Sequence, residues 1–322
     1  MVIQVTVDVE EVQFLMEDAR NVTLFGKEIP VRKYGCSNEG KNPLWIDIPR
    51  VNLFVQVTNK CNANCPFCIY HNNEEPSFDL KKYSYILNAL TSNKSIDIGK
   101  LNFTGGEPTL NFSLFEDIVN TTKENLDMER KPEITLNTNG LNLSKVIKYS
   151  DFLDSIGLSR HHYDDKINCK IFGTTSVAKE EDIINFNRTS KKPEILQLRC
   201  NLINGYIDSY DEIKKYLERA IILDSHDCGF VTLAPNNDYC KQKQIDFTNL
   251  VKINKEIIQV NKWERIEDNT SYCQCANYVY MSNSGEFCKF YSRLFCRNDI
   301  IDGILVFDGK NLRFGFGGEI II

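Results

Sequence analysis

A chain of 322 residues, 42% hydrophobic and 25% charged, has the material for one large α/β domain or a domain of about 200 residues with additions, and reads as neither disordered nor fibrous. Its net charge of −6, with no basic cluster beyond pairs such as Lys81-Lys82, argues against a phosphate-backbone partner, so no nucleic acid is expected; the lack of an apolar run of about 18 residues likewise argues against a membrane-spanning helix. Residues 1–11 show no basic-then-apolar signal pattern, the expected location is the cytoplasm, and in that reducing compartment twelve cysteines point to metal or redox chemistry rather than to a disulfide framework.

Taken in order, residues 1–50 read as an N-terminal β extension, with short strands at 21–25 and 29–31 and a loose stretch at 37–43. From Val51 apolar runs alternate with amphipathic segments. The spacing predicts strands at 52–58, 100–104, 133–137, 152–159, 194–202 and 229–234, with helices at 80–90, 114–123, 143–149, 179–187 and 210–223 between them. In the last helix Ile213, Tyr216, Leu217, Ala220 and Ile221 fall at helical spacing. Six strand-helix units of this kind predict a parallel α/β sheet over residues 51–235. From about residue 236 the alternation stops. A helix at 247–260 precedes a hairpin, 278–282 and 286–290 around Asn283-Ser284-Gly285, and short strands run on to 322. Residues 236–322 therefore read as a small C-terminal cysteine-bearing module. No internal repeat is visible.

The strongest chemical signal is the run from Cys61 to Cys68, in which Cys61, Cys65 and Cys68 are spaced C-x3-C-x2-C in a loop directly after the first barrel strand. Three soft ligands leave one metal corner open, whereas a structural site is usually closed by a fourth. A zinc knuckle or inert buried thiols remain alternatives on spacing alone. Thr104-Gly105-Gly106-Glu107-Pro108 ends the second strand; paired glycines let backbone approach a ligand, and a carboxylate can receive an ammonium group.

Together, at the ends of successive strands, the two motifs resemble those of the radical S-adenosylmethionine (SAM) superfamily, a likeness that covers roughly residues 51–234. It implies a partial (β/α)6 barrel with its site at the C-terminal mouth of the strands. It also implies that Cys61, Cys65 and Cys68 hold a [4Fe-4S] cluster, whose open iron is chelated by SAM. By the same resemblance Phe67 matches the aromatic position near the adenine, and Gly105, Gly106 and Glu107 match the segment that binds the SAM amino group. Thr138 and Asn139 match a polar turn bordering SAM, Ser159 the ribose contact, and Arg199 the residue that meets the SAM carboxylate. Reductive cleavage of SAM to a 5′-deoxyadenosyl radical and hydrogen abstraction from a substrate follow as the expected activity, fed by an external one-electron donor of the flavodoxin or ferredoxin type.

The tail carries Cys273, Cys275, Cys288 and Cys296, which resemble the twitch or SPASM extension and imply one auxiliary [4Fe-4S] cluster. The single residue between Cys273 and Cys275 departs from the usual two, and zinc or free thiols are the alternatives. His161, His162, Tyr163, Asp164 and Asp165 follow the fourth strand near where substrate would sit; a solvated loop is the commoner explanation for such a run, and contact with substrate the alternative.

A ribosomally made peptide is the leading substrate, a small metabolite such as a sugar, amino acid or nucleoside the alternative, and a non-catalytic zinc-binding protein the reading from another class. The GTP-cyclising enzymes of molybdopterin biosynthesis resemble this chain in architecture. They carry an arginine seven residues before the first cysteine and further arginines in the tail, where this chain has Phe54, Asn277 and Val279, and they end in Gly-Gly where this chain continues past Gly317-Gly318.

Overall fold

The computed structural model describes residues 19–32, 48–69, 77–192, 195–225, 227–245, 264–268, 277–281, 287–291 and 303–322. A hairpin of β1 (Ala19–Leu24) and β2 (Lys27–Arg32) turns through Phe25 and Gly26, both at positive φ, the pattern that suits a tight two-residue turn. Six parallel strands follow: β3 (Arg50–Thr58), β4 (Asp97–Gly105), β5 (Glu133–Thr138), β6 (Ser155–Ser159), β7 (Leu196–Leu202) and β8 (Asp227–Thr232). They are the strands that the sequence predicts, except that the fourth starts at Ser155, because residues 151–152 still turn after the preceding helix.

The helices are α1 (Leu80–Ser92), α2 (Phe112–Asn125), α3 (Leu143–Val146), α4 (Asp165–Phe172), α5 (Glu180–Thr189), α6 (Tyr210–Ile222) and α7 (Asp238–Lys243). Side chains of Asp79, Asn111 and Ser209 cap α1, α2 and α6 by accepting first-turn N–H groups. The sequence reading has no counterpart of α4. It begins where a solvated loop was one expectation, with Asp164 as its N-cap and Gly173 as its left-handed stop.

Each barrel strand has two unlike faces. Leu53, Val55, Leu101, Phe103, Leu136, Ile156 and Leu198 pack outward with Tyr83, Ile86, Phe115, Ile118, Ile213 and Tyr216 in one continuous core. The other face is polar. Asn102 donates to Thr135 Oγ1 at 2.6 Å, Asn137 donates to Asn102 Oδ1 at 3.1 Å, and Arg199 pairs with Asp227 at 3.0 Å. A barrel filled by branched apolar side chains would be closed to a ligand. This one is lined by amides and hydroxyls, with Gly157 and Gly229 where a Cβ would strike Asn137 or Arg199.

The C-terminal strands extend the same sheet at both edges rather than standing apart from it. β9 (Glu264–Asp268), β10 (Asn277–Met281) and β11 (Phe287–Tyr291) form an antiparallel set, and β11 runs parallel to β8. At the opposite edge β12 (Ile304–Phe307) runs parallel to β3 and β13 (Leu312–Phe314) returns beside it. Among the described residues the sheet has eleven strands. The expected hairpin around Asn283-Ser284-Gly285 is formed by β10 and β11. The expected helix at 247–260 lies outside the described residues, and no described helix is long and apolar enough to cross a membrane.

Asp154 ties the N-terminal strand ends together. It accepts from the Ile134 amide at 2.9 Å, from Lys131 at 3.1 Å and from Lys192 at 3.2 Å. Burial pushes this carboxyl up, but the Ile134 amide and the two ammonium groups outweigh it and hold the carboxyl below its ordinary value. Its contribution to stability is therefore present above the unfolded value of about 3.9 and lost as pH falls through the lower folded value. Melting curves of Asp154→Asn and wild type, compared from about pH 7 to about pH 3, should differ most near neutrality and converge at the acid end.

Candidate active site

The loop leaving β3 carries the three cysteines of the first motif. Cys61 is exposed, Cys65 and Cys68 are half-buried, and none of the three is in a disulfide. A turn closed by Cys68 N donating to Cys65 O at 3.0 Å folds the loop back, close enough for each thiol's charge to bear on the others. Cys61 Sγ accepts from Ala63 N at 3.4 Å and from Asn139 Nδ2 at 3.6 Å. Among the described residues no three His, Cys, Asp or Glu side chains converge as a single metal ion requires. Three thiolates carried on one loop can each take one iron of a [4Fe-4S] cluster, which leaves its fourth corner open. Burial, with the neighbouring thiols adding, pushes Cys65 up to about 12. Bound iron must therefore supply the deprotonation, and loading releases protons.

Two backbone hydrogen bonds fasten this loop to the end of β4: Gly106 N to Thr58 O at 2.7 Å and Glu107 N to Lys60 O at 2.9 Å. A Cβ on Gly105, which has φ of +129°, would lie 2.3 Å from Thr58 O, and one on Gly106 would lie 2.2 Å from Lys60 O. The sequence reading gave these glycines to a ligand; here the close neighbour is the chain's own backbone. Glu107 is fully buried. Its Oε1 accepts from Thr109 N at 3.0 Å, from Thr109 Oγ1 and from Thr138 Oγ1 at 2.7 Å, and its Oε2 accepts from Asn139 N at 2.7 Å. Burial pushes this carboxyl up and those donors pull it down.

The far side of the loop is gripped by elements whose role has no obvious local signal. Asn64 N donates to Phe172 O at 2.7 Å, at the end of α4. Asn237 Nδ2 donates to Pro66 O at 3.0 Å, and the Cys240 thiol faces Phe67 O at 3.9 Å, both from the α7 region. His161 meets Phe67 edge-on at 5.1 Å between ring centres and stacks on Phe172 at 4.9 Å. Its Nδ1 accepts from Asn201 N at 3.0 Å, and burial lowers its pKa to about 3, so it is neutral. His162 is also buried, and its Nδ1 accepts from Asp164 N. The solvated-loop reading is thus corrected for the two histidines, whose backbone amides Asn168 Oδ1 accepts at 2.8 and 2.9 Å, which satisfies them without water, while Asp164 stays exposed.

Of the other expected residues, Thr138 and Asn139 lie beside the cysteine loop, and Ser159 is the half-buried last residue of β6. Arg199 is held by Asp227 and by Gln197, two residues earlier on its own strand. The guanidinium is thus directed toward the N-terminal mouth, and meeting a ligand at the strand ends requires that pair to open. Cys288 is fully buried in the outer apolar core, in register with Cys228 on β8. Cys273, Cys275 and Cys296 lie outside the described residues. A cleft of about 190 Å³, lined by residues that include Asn62, Asn139, Phe172 and Ser176, opens beside Cys61.

Replacing Gly106 by Ala should force the Thr58–Lys60 backbone aside at a cost of about 1–3 kcal/mol, the range for overpacking a tight contact. Gly99→Ala is the control, since its Cβ would meet the flexible Arg50 side chain at 3.4 Å. Urea unfolding of the metal-free variants and iron content after reconstitution check this; Gly106→Ala should lose on both counts and Gly99→Ala on neither.

Residues 55–220 match the model of the radical SAM superfamily. A curated GTP 3′,8-cyclase from Peptoclostridium acidaminophilum is 28% identical over 194 residues, covering 58% of this chain and 56% of the cyclase, so the match spans little more than half of that relative's length. In structure the chain resembles Streptococcus suis SuiB bound to S-adenosylmethionine, with a TM-score of 0.58 at 16% identity over 83% of this chain and 60% of SuiB. SuiB bound to precursor peptide SuiA gives 0.54 at 18% identity over 70% and 52%. The three-cysteine loop, the six-strand parallel core and a family match across half of the sequence agree, and the chain belongs to the radical SAM superfamily.

Proposed function

We propose that this chain is a radical SAM enzyme that modifies a ribosomally made peptide. When bound, the [4Fe-4S] cluster supplies the electron that breaks a C–S bond of SAM, giving a 5′-deoxyadenosyl radical that takes hydrogen from the substrate. The protein's part is to hold the cluster through Cys61, Cys65 and Cys68 and to receive SAM around Gly105, Gly106, Glu107, Thr138 and Asn139, with Phe67 and Ser159 bordering adenine and ribose.

The observation that carries the peptide reading is the barrel lining. Its neutral polar groups, Asn102, Thr135 and Asn137, suit a chain of amides, and its described cations are matched by carboxylates, Arg199 by Asp227 and Lys100 by Glu133. A nucleoside triphosphate calls for several cations free to meet phosphate. SuiB, similar in fold, is described bound to a precursor peptide. The cyclase relatives favour a nucleotide instead, so GTP is the reading to test against. An auxiliary cluster would draw on Cys273, Cys275 and Cys296, since the burial of Cys288 among apolar side chains suits packing. An external flavodoxin or ferredoxin is the electron donor in this reading.

Anaerobically reconstituted protein with dithionite and SAM should release 5′-deoxyadenosine, and Cys65→Ala should abolish it. Iron-replete wild type that never cleaves SAM sinks the activity. GTP should leave that release unchanged and yield no cyclised product, whereas a short peptide encoded beside the gene should gain a mass shift; the reverse pattern makes this a nucleotide enzyme. With Cys61, Cys65 and Cys68 all changed to Ala, about four irons retained per chain would reveal the auxiliary cluster, and a folded, iron-free variant would leave one cluster only.

A further inference from the structure

We propose that Asn139 tunes the reduction potential of the cluster held by Cys61, Cys65 and Cys68, by donating a side-chain N–H to the Cys61 sulfur, and that Glu107 is the positioning residue that holds Asn139 in place for this. The inference rests on the cluster assignment above and assigns residue roles within it. The side-chain amide and the backbone N–H of Asn139 both have partners. Nδ2 lies 2.7 Å from Asn62 Oδ1 and 3.6 Å from Cys61 Sγ, so its two hydrogens serve one acceptor each. Its Oδ1 accepts from Leu141 N at 3.1 Å, and its own backbone N–H goes to Glu107 Oε2 at 2.7 Å. Neighbouring Thr138 closes the turn by donating to Glu107 Oε1 and accepting from Gly140 N at 3.0 Å. These bonds direct the amide N–H toward the sulfur.

The electrostatics give the sign. Reduction adds negative charge to the cluster, part of which resides on the cysteine sulfurs, and an N–H dipole aimed at a sulfur stabilises the reduced form more than the oxidised one. The second donor to Cys61, Ala63 N, is a backbone group inside the loop and is present whatever the side chain. Asn139 comes instead from the end of β5, so its contribution can be removed while the loop's sequence is untouched. It also lines the cleft beside Cys61, which makes it the side chain a ligand entering there would disturb. Glu107 makes no hydrogen bond to the cysteines, its carboxylate being occupied by Thr109, Thr138 and Asn139, although its charge bears on Cys61.

The test is an anaerobic redox titration without SAM, followed by electron paramagnetic resonance of the reduced cluster, on wild type, Asn139→Ala, Glu107→Gln, the double variant of these two and Leu141→Ala. Leu141 is an exposed neighbour on the same turn and serves as control. With iron content equal to wild type, Asn139→Ala should shift the midpoint to a more negative potential. Glu107→Gln also removes a negative charge that bears on Cys61, so its positioning role is read from the double variant, in which Asn139→Ala should shift the midpoint less than it does in wild type. Leu141→Ala should leave it unchanged. An unshifted or more positive midpoint in iron-replete Asn139→Ala overturns the proposal while leaving the cluster assignment standing. A wild type that takes up no iron overturns both. Should Glu107→Gln fail to fold, the half-buried Asn139 still decides the matter.

Discussion

The site depends on one close approach, the passage of the Gly105–Glu107 backbone against that of Thr58–Lys60. Two main-chain hydrogen bonds hold it, and there is room for them only because residues 105 and 106 have no side chain. Through it the end of β4 is fixed to the root of the cysteine loop. The carboxylate of the next residue then fixes the end of β5, by accepting from Thr109, Thr138 and Asn139. A buried carboxylate is costly unless its oxygens are satisfied, and the four donors here leave it little reason to move. Three strand ends behave as one rigid corner, and the cysteines hang from it.

The six barrel strands were legible in the sequence because each is a short apolar run set between amphipathic helical segments, the alternation that marks strand-helix units. The cysteine and glycine motifs were legible because their spacing is local. What escaped depends on contacts far apart in the chain. His161 and His162 look like solvent-loving residues beside Asp164 and Asp165, yet Asn168 and the Asn201 amide satisfy them. A hint lay in Asp164, a good N-cap, followed by Ile167 and Ile171 one turn apart and then Gly173. The SAM-carboxylate role of Arg199 rests on the family resemblance, which carries no trace of its pairing with Asp227 on the following strand. The parallel pairing of β11 with β8 and of β12 with β3 was equally hidden, since no local pattern records which edge a short strand will join.

The barrel also shows how its two faces divide the work. All of the packing that a filled barrel would put inside must here be done outside, between sheet and helices, where Tyr83, Phe115 and Tyr216 are completely buried or nearly so. Among the described residues the inside is left with hydrogen-bonded amides and two ion pairs, Arg199 with Asp227 and Lys100 with Glu133, an arrangement that contributes little net stability but keeps space for a ligand. Stability and access are thereby assigned to opposite sides of the same strands.

The strand that leads into the cysteine loop is paired on one side by β4 and on the other by β12, which the ribosome makes last among the barrel's partners. Until β12 emerges, β3 presents an unpaired edge of mixed polar and apolar side chains, open to any other extended chain nearby. The cysteine loop is thus made early but braced on both sides late. A chain without its cluster carries its cysteines at the mouth of the barrel, where the exposed Cys61 is the one most open to oxidants.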